Sequence, residues 1–421
     1  MLHSKWTVLL GCAFAIVFAG APEAAAPAHD GMHKVSSRKK ASGGVNSRTK
    51  SKSGVARQPK ASPIMIGHFA SMTGPQERFG RSTDQGVRLA LEERNAAGGI
   101  KGRKVEVKTI DTASKTSQGG TVVNHLINND KVVALLGEVA SSISLAGGTV
   151  AQKLGVPMVS PSSTNERVTK IGDMVFRVCF VDSFQGYVMA QFVIDNLKLK
   201  KVAVLYDQQQ AYSKLLADSF KVAFIGRGGA ITTEQAYSTG DADASEQVQI
   251  IKASGAQAVY MPGYYPDVGN LVSQARKLGI KAPFLGGDGW DSEKLTEIGG
   301  DAIEGSYYSN HFSSEEQRPE VQEFVKKYKE KWGLVPDGVA ALGYDAARVL
   351  FDAMDRARSL SGKDVAVALA ATKDFPGVTG RITIDADRNA QKQAVILTVK
   401  GGSPAYVTSV LPPGVGDLVP N

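Results

Sequence analysis

From Pro63 to Lys400 the chain alternates short apolar, β-branched runs with longer stretches whose apolar positions recur every three or four residues. That is the pattern of strands and helices in alternation, and so of parallel sheets. Ile64 to Phe69 predicts a first strand, Ser71 to Arg81 a polar loop containing Phe79-Gly80, and Asp84 to Ala96 a helix with Val87, Ala90, Leu91 and Arg94 on one face. Val105 to Ile110 predicts a strand and Val122 to Ile127 a helix. Val132 to Leu136 reads as a buried strand, after which Ser141 and Ser142 precede a helix with Ala146, Val150 and Leu154 at four-residue steps. Val156 to Val159 is apolar again and stops at Ser160-Pro161, with Ser162, Ser163 and Thr164 behind it.

The same layout then recurs. Val202 to Tyr206 predicts a strand followed by the polar loop Asp207 to Tyr212. Ile231 to Tyr237 and Val248 to Ala253 predict a strand and a helix. Ala256 to Met261 is a strand ending in Pro262-Gly263-Tyr264-Tyr265-Pro266-Asp267, before a helix with Val268, Leu271, Val272 and Ala275 on one face. Lys281 to Leu285 is a strand ending in Gly286-Gly287-Asp288-Gly289-Trp290. Further on lie a strand at Gly305 to Ser309, helices over Pro319 to Trp332 and Ala340 to Ala357, and two strands within Gly380 to Lys400. The fold class is therefore α/β: two Rossmann-like lobes with parallel sheets, facing each other over a cleft. Neither lobe closes on itself in sequence, so the chain is expected to cross between them near Val181, His311 and Gly377, a three-strand hinge. This assigns residues 63–181 with 312–377 to one lobe and 182–311 with 378–412 to the other.

In a parallel sheet the polar clusters would fall just past the carboxyl ends of their strands, where such sheets bind ligands. Hydroxyls at a helix start, beside its free N–H groups and positive dipole end, suit a small anion such as a carboxylate. A serine before a helix more often only caps it, and a single cluster would carry no more than that. The second copy changes the reading, because one lobe offers hydroxyls and the other tyrosines and an acid.

Charge and cysteine narrow the class. Residues 1–28 read as an export signal, with Lys5, an apolar run from Thr7 to Gly20, and Ala26-Pro27-Ala28 before His29. Leu9-Leu10-Gly11-Cys12 lies too early in that run for a lipoprotein box. Residues 29–62 hold nine Lys or Arg and one acid, Asp30, and so carry the whole of the chain's formal charge of +8. Their composition is that of a disordered basic linker. The remainder has no basic bias, which removes the case for nucleic acid. With Cys12 in the signal, Cys179 is left alone and no intrachain disulfide can form; inside an apolar run it reads as a buried small hydrophobe. No G-x-S-x-G elbow, P-loop or H-E-x-x-H is present; of the six histidines, 3, 29 and 33 precede the fold, and 68, 125 and 311 lie far apart in sequence. Asp241, Asp243 and Glu246 lack the glycine and closing glutamate of an EF-hand loop. Binding without chemistry, without metal and without cofactor is the expectation.

Seven phrases, in this order, carry a family resemblance: GHFASMTGPQERFG, NAAGGIKGRKVEVKTIDTAS, LGEVASSISLAGG, GVPMVSPSSTNERVT, YDQQQAYSKLLA, VYMPGYYPDVGNLVSQARKLGIKAPFLGGDGW and GYDAARVLFDAM. From Ile64 to about Val410 the chain resembles the type I periplasmic solute-binding proteins of ABC importers, in their leucine/isoleucine/valine-binding branch. The resemblance implies a periplasmic monomer whose two lobes close on an amino acid, most directly a branched-chain one, and deliver it to a membrane permease. It implies that Ser141, the Ser162 backbone and Thr164, with Ser142 and Ser163 in the same clusters, hold the ligand carboxylate. Tyr212, Tyr264 and Asp288 would hold the ammonium or close over it, and Phe79 would line the entrance. Asp288 stands where that pattern has a glutamate, and the cysteine pair often found near Ala113 and Ala140 is absent. An amide, a urea-like compound or an aromatic acid is the alternative ligand class, and a ligand-sensing module the alternative role. Deleting residues 29–62 is expected to leave the ligand dissociation constant unchanged by calorimetry; a tenfold loss would place that segment at the cleft or hinge.

Overall fold

A computed structural model describes residues 62–412 apart from Ala242. The expected export signal, all but the last residue of the basic linker, and the 413–421 tail lie outside the described residues. The first sheet is built from β1 (Ile64–Ala70), β2 (Val105–Asp111), β3 (Ala134–Leu136), β4 (Met158–Ser160) and β5 (Val175–Arg177), with helices α1 (Glu77–Ala96), α2 (Thr116–Asn128) and α3 (Ser141–Leu154) between them. After α4 (Asp182–Asp195), the second sheet begins with β6 (Lys201–Asp207), β7 (Ala230–Tyr237), β8 (Ala258–Tyr260), β9 (Phe284–Gly286) and β10 (Tyr307–Asn310). Helices α5 (Ala211–Gly226), α6 (Ser245–Ala253), α7 (Tyr265–Lys277) and α8 (Glu293–Gly299) accompany it. Helices α9 (Pro319–Trp332), α10 (Gly338–Arg356) and α11 (Gly362–Ala370) follow, then a small antiparallel sheet of β11 (Phe375–Gly377), β12 (Gly380–Ile384) and β13 (Ala390–Gln391). β14 (Ala394–Lys400) and β15 (Ser403–Val410) end the described chain.

The first sheet has the order β2-β1-β3-β4-β5 and the second β15-β14-β10-β9-β8-β6-β7. Within the second, β7-β6-β8-β9-β10 repeats the winding of the first, all parallel, and β14 and β15 add antiparallel to its edge. The chain is thus two doubly wound α/β units, as the repeated layout predicts. Strands such as β3, β4, β8 and β9 are buried throughout because helices cover both faces, which is why they read as continuous apolar runs. One face of the first sheet packs Ile64, Ile66 and Val105 against α1, α9, α10 and α11 through Val87, Phe324, Leu350 and Val365. No helix among the described residues is long and apolar enough to cross a membrane.

Three expectations need correction. α1 begins at Glu77, so Phe79 sits in its first turn rather than in a loop, and it is buried. Polar residues hide the periodicity of the helix start: Asp84, a turn further on, faces inward to accept from Thr109 Oγ1 (2.6 Å) and Arg88 Nε (2.6 Å) and to pair with His68. α3 buries Ile143, Ser144, Gly147, Gly148 and Ala151, while Leu154 is exposed. Two glycines put the sheet on that side, since a Cβ at Gly147 would stand 2.7 Å from the Phe69 ring. The third chain crossing lies beyond Gln391, not near Gly377: Ile382, Ile384 and Ala390 pack with the first sheet's cluster, and the second sheet resumes at Ala394.

Asp345 of α10 fastens this last segment. Its fully buried carboxylate accepts from the backbone N–H groups of Val378 and Thr379, both at 2.9 Å, and from Thr379 Oγ1 at 2.7 Å. Asp345→Ala should lower stability by about 2–4 kcal/mol, because three buried donors lose their acceptor. Urea denaturation checks this, and an unchanged midpoint would show that the segment is fastened elsewhere.

Candidate functional site

The carboxyl ends of the strands in both sheets converge on one cavity with about 250 Å³ of empty space. It is lined from the first lobe by Phe79, Val139, Ser141, Ser162 and Val339, and from the second by Tyr212, Tyr264, Asp288 and Gly289. Six of the nine predicted site residues therefore meet there, although their positions span more than 200 residues of chain.

Ser141 is the first residue of α3, and Ala140 occupies the N-cap position without a side-chain bond, so neither Ser141 nor Ser142 serves as the cap. Ser141 Oγ accepts from Asn165 N at 3.3 Å. Ser162, past β4, keeps its buried Oγ without a hydrogen-bond partner while lining the cavity. A buried hydroxyl without a partner is costly unless something else supplies one.

The other three hydroxyl residues stand apart from the cavity. Ser142 donates to Gln210 Oε1 at 3.2 Å, a tie between lobes. Ser163 turns back into the loop after β3, where its Oγ bonds Ser144 Oγ at 2.7 Å and the carbonyls of Glu138 and Val139 at 2.9 Å. Thr164 is buried at the first crossover, its carbonyl oxygen accepting from Asp182 N at 3.0 Å. The loop after β3 claims Ser163 alone, through the backbone carbonyls of Glu138 and Val139. The Glu138 side chain, buried in the same loop, finds its donors elsewhere. Its carboxylate accepts from Ser71 Oγ (2.5 Å), Thr112 Oγ1 (3.1 Å) and Ala140 N (2.6 Å), and burial still pushes its pKa up.

On the second lobe, Tyr212 and Tyr264 stack with ring centroids 5.1 Å apart, and Phe79 meets Tyr264 and Tyr265 edge-on at 6.1 and 4.9 Å. Tyr212 donates to Asp288 Oδ1 at 2.9 Å and accepts from Gly289 N at 3.0 Å. Asp288, only 8% exposed, also accepts from Gln185 Nε2 at 2.8 Å through Oδ1 and has His311 Nε2 3.1 Å from Oδ2. Gln185, His311, Val139 and Val339 were not singled out from the sequence. His311 lies far from His68 and His125 in sequence, yet it directly follows a strand, as Ser162, Tyr264 and Asp288 lie just past theirs.

The site thus has Ser141 at a helix start and Ser162 past a strand end on one side, a buried carboxylate on the other, and apolar or aromatic surface between. A family model for the periplasmic binding protein matches residues 63–403. The chain belongs to the periplasmic binding protein family. Among curated relatives, the Leu/Ile/Val-binding protein homolog 3 of Brucella melitensis is 35% identical over 76% of this chain and 86% of its own. The leucine-, isoleucine-, valine-, threonine- and alanine-binding protein of Pseudomonas aeruginosa is 32% identical over 77% of this chain and 86% of its own. A crystal structure of a leucine-binding protein from Thermotoga maritima superposes with a TM-score of 0.80 at 38% identity, covering 83% of this chain and 99% of that one. The branched-chain amino acid transporter substrate-binding protein of Streptococcus pneumoniae, solved with isoleucine, gives a TM-score of 0.79 at 33% identity, over 83% of this chain and 100% of that one. This is a family of solute-binding receptors, not of enzymes.

For this periplasmic binding protein, Tyr212→Phe removes one donor to Asp288 and strands the Gly289 N–H. It should cost about 1–3 kcal/mol of ligand affinity, read by calorimetry with the thermal midpoint as the folding control.

Proposed function

We propose that the chain is the extracytoplasmic receptor of an ABC importer, exported by the signal at residues 1–28. It binds an amino acid, most directly a branched-chain one, between its lobes as a monomer and hands it to a membrane permease. The observation that carries this is the cavity's polarity: Ser141 and Ser162 with the α3 N-terminus on one wall, Asp288 on the other. An amino acid zwitterion needs donors at one end and an anion at the other, and the two lobes supply one each. Phe79, Val139 and Val339 leave the remaining surface apolar, which suits an aliphatic side chain.

An acid without an amine would leave Asp288 without a cation in a closed site, a cost of several kcal/mol. Relatives of the chain named for leucine, isoleucine and valine binding point the same way.

Asp288→Asn should cost roughly 2–4 kcal/mol for leucine and valine and little for their 2-keto or deaminated analogues, because only the amine loses its counter-charge. Ser162→Ala should cost about 1–2 kcal/mol for both series, since both keep the carboxylate. Calorimetry on the two variants measures this. If Asp288→Asn binds amino acids as tightly as the parent, Asp288 does not read the amine.

A further inference from the structure

Asp288 is held by residues of the hinge. His311 directly follows β10 at the second crossover and is 2% exposed. Its ring stacks on Phe180 of the first crossover, with centroids 3.6 Å apart and planes at 28°. Nε2 lies 3.1 Å from Asp288 Oδ2, and the buried Nδ1 has no partner. Two charged groups face the imidazole: Asp288 from the loop after β9, and Lys392 from the third crossover. Burial outweighs the attraction of Asp288 and holds the ring's pKa down at about 4, so the ring is neutral at neutral pH.

A neutral imidazole carries one hydrogen, and a carboxylate oxygen accepts, so the hydrogen belongs on Nε2. Such a donor fixes a carboxylate without cancelling its charge. A lysine or arginine at the same place would form an ion pair and compete with any cation arriving between the lobes.

We infer that His311 is a positioning residue for ligand recognition: as an uncharged Nε2–H donor it aims the Asp288 carboxylate from the hinge and leaves its negative charge to a ligand's cationic group. The inference rests on the reading that Asp288 meets an ammonium, and it adds a specific requirement at residue 311: a donor, but not a cation. Glutamine should therefore replace histidine, leucine should not, and lysine should be as harmful as leucine or more so.

Two measurements test it. Nitrogen-15 NMR of the ligand-free mature chain should find the His311 ring neutral, with hydrogen on Nε2 and no titration between about pH 5 and about pH 8. A doubly protonated ring at neutral pH, or a titration midpoint within that window, overturns the inference. This arm needs no ligand, so it judges His311 even if the parent binds no amino acid and the functional reading fails. In the second arm, calorimetry with L-leucine should show His311→Gln within a few-fold of the parent and His311→Leu weaker by about tenfold or more. His311→Lys should be weakened at least as much as His311→Leu while melting near the parent. Equal losses in the Gln and Leu variants would reduce residue 311 to space-filling and overturn the inference, as would parental affinity in the Leu variant. Should the Lys variant fail to fold, the Gln–Leu contrast and the NMR result still decide.

Discussion

A carboxylate more than nine-tenths buried must be met either by a cation or by enough donors to replace water, and Asp288 is met by donors alone. Tyr212, Gln185 and a neutral His311 surround it, and among the described residues no lysine or arginine pairs with it. Taking such a charge out of water costs several kcal/mol even after relaxation, and uncharged hydrogen bonds recover only part of that. The protein therefore carries a standing deficit at one wall of its cavity. A small polar group within the second lobe is arranged around it: the stacked tyrosines, the glutamine one turn into α4, and the strand end that delivers His311.

The repeated winding explains how so few residues at distant positions come together. In both sheets the strand order reverses beside the first strand of the unit, β1 or β6, and loops after the central strands open into a crevice there. Ser141 and Ser162 follow β3 and β4, and Tyr264 and Asp288 follow β8 and β9, the equivalent strands of the second unit. Facing the two crevices makes one cavity with different chemistry on each wall. The topology supplies the position, and a handful of loop residues supplies the polarity.

How much of this is legible in the sequence follows from the same physics. Buried parallel strands are apolar runs, so β1 and β6 are found within a residue or two; the half-buried edge strands β2 and β7 are found as closely through their β-branched residues, and the amphipathic α7 and α9 show their buried face directly. The first two turns of α1 are not legible, because they bury Gly80, Ser82, Thr83 and Asp84 beside Phe79 and so have no apolar period. Ser142, Ser163 and Thr164 look identical to Ser141 and Ser162 in sequence. Only the fold shows that Ser163 serves the loop around Glu138 and that Ser142 reaches across to Gln210. Gln185 and His311 act on Asp288 from 103 and 23 residues away, a pairing that no local pattern encodes.

The contacts between the lobes differ in kind from one side to the other, and that difference bears on how the cleft opens. Away from the hinge the ties are polar, apart from the Phe79 ring against Tyr264 and Tyr265: Tyr265 OH to the Pro75 carbonyl at 2.9 Å, Arg78 to Glu293 at 3.2 Å, and Ser142 to Gln210. Bonds of this kind are worth about 0.5–1.5 kcal/mol each, and less where exposed, since water replaces them readily. At the hinge, Lys392 is buried, and desolvation holds its ammonium down at about 8. It donates to the Val178 carbonyl at 3.3 Å and to Thr379 Oγ1 at 2.5 Å, linking the third crossover to the first. Parting those strands would break both hydrogen bonds of a buried ammonium, and bonds to charged groups are stronger than the neutral ties at the rim. The rim can therefore open while the crossovers stay joined, and the motion left to the lobes is rotation about the strands that carry His311 and Lys392.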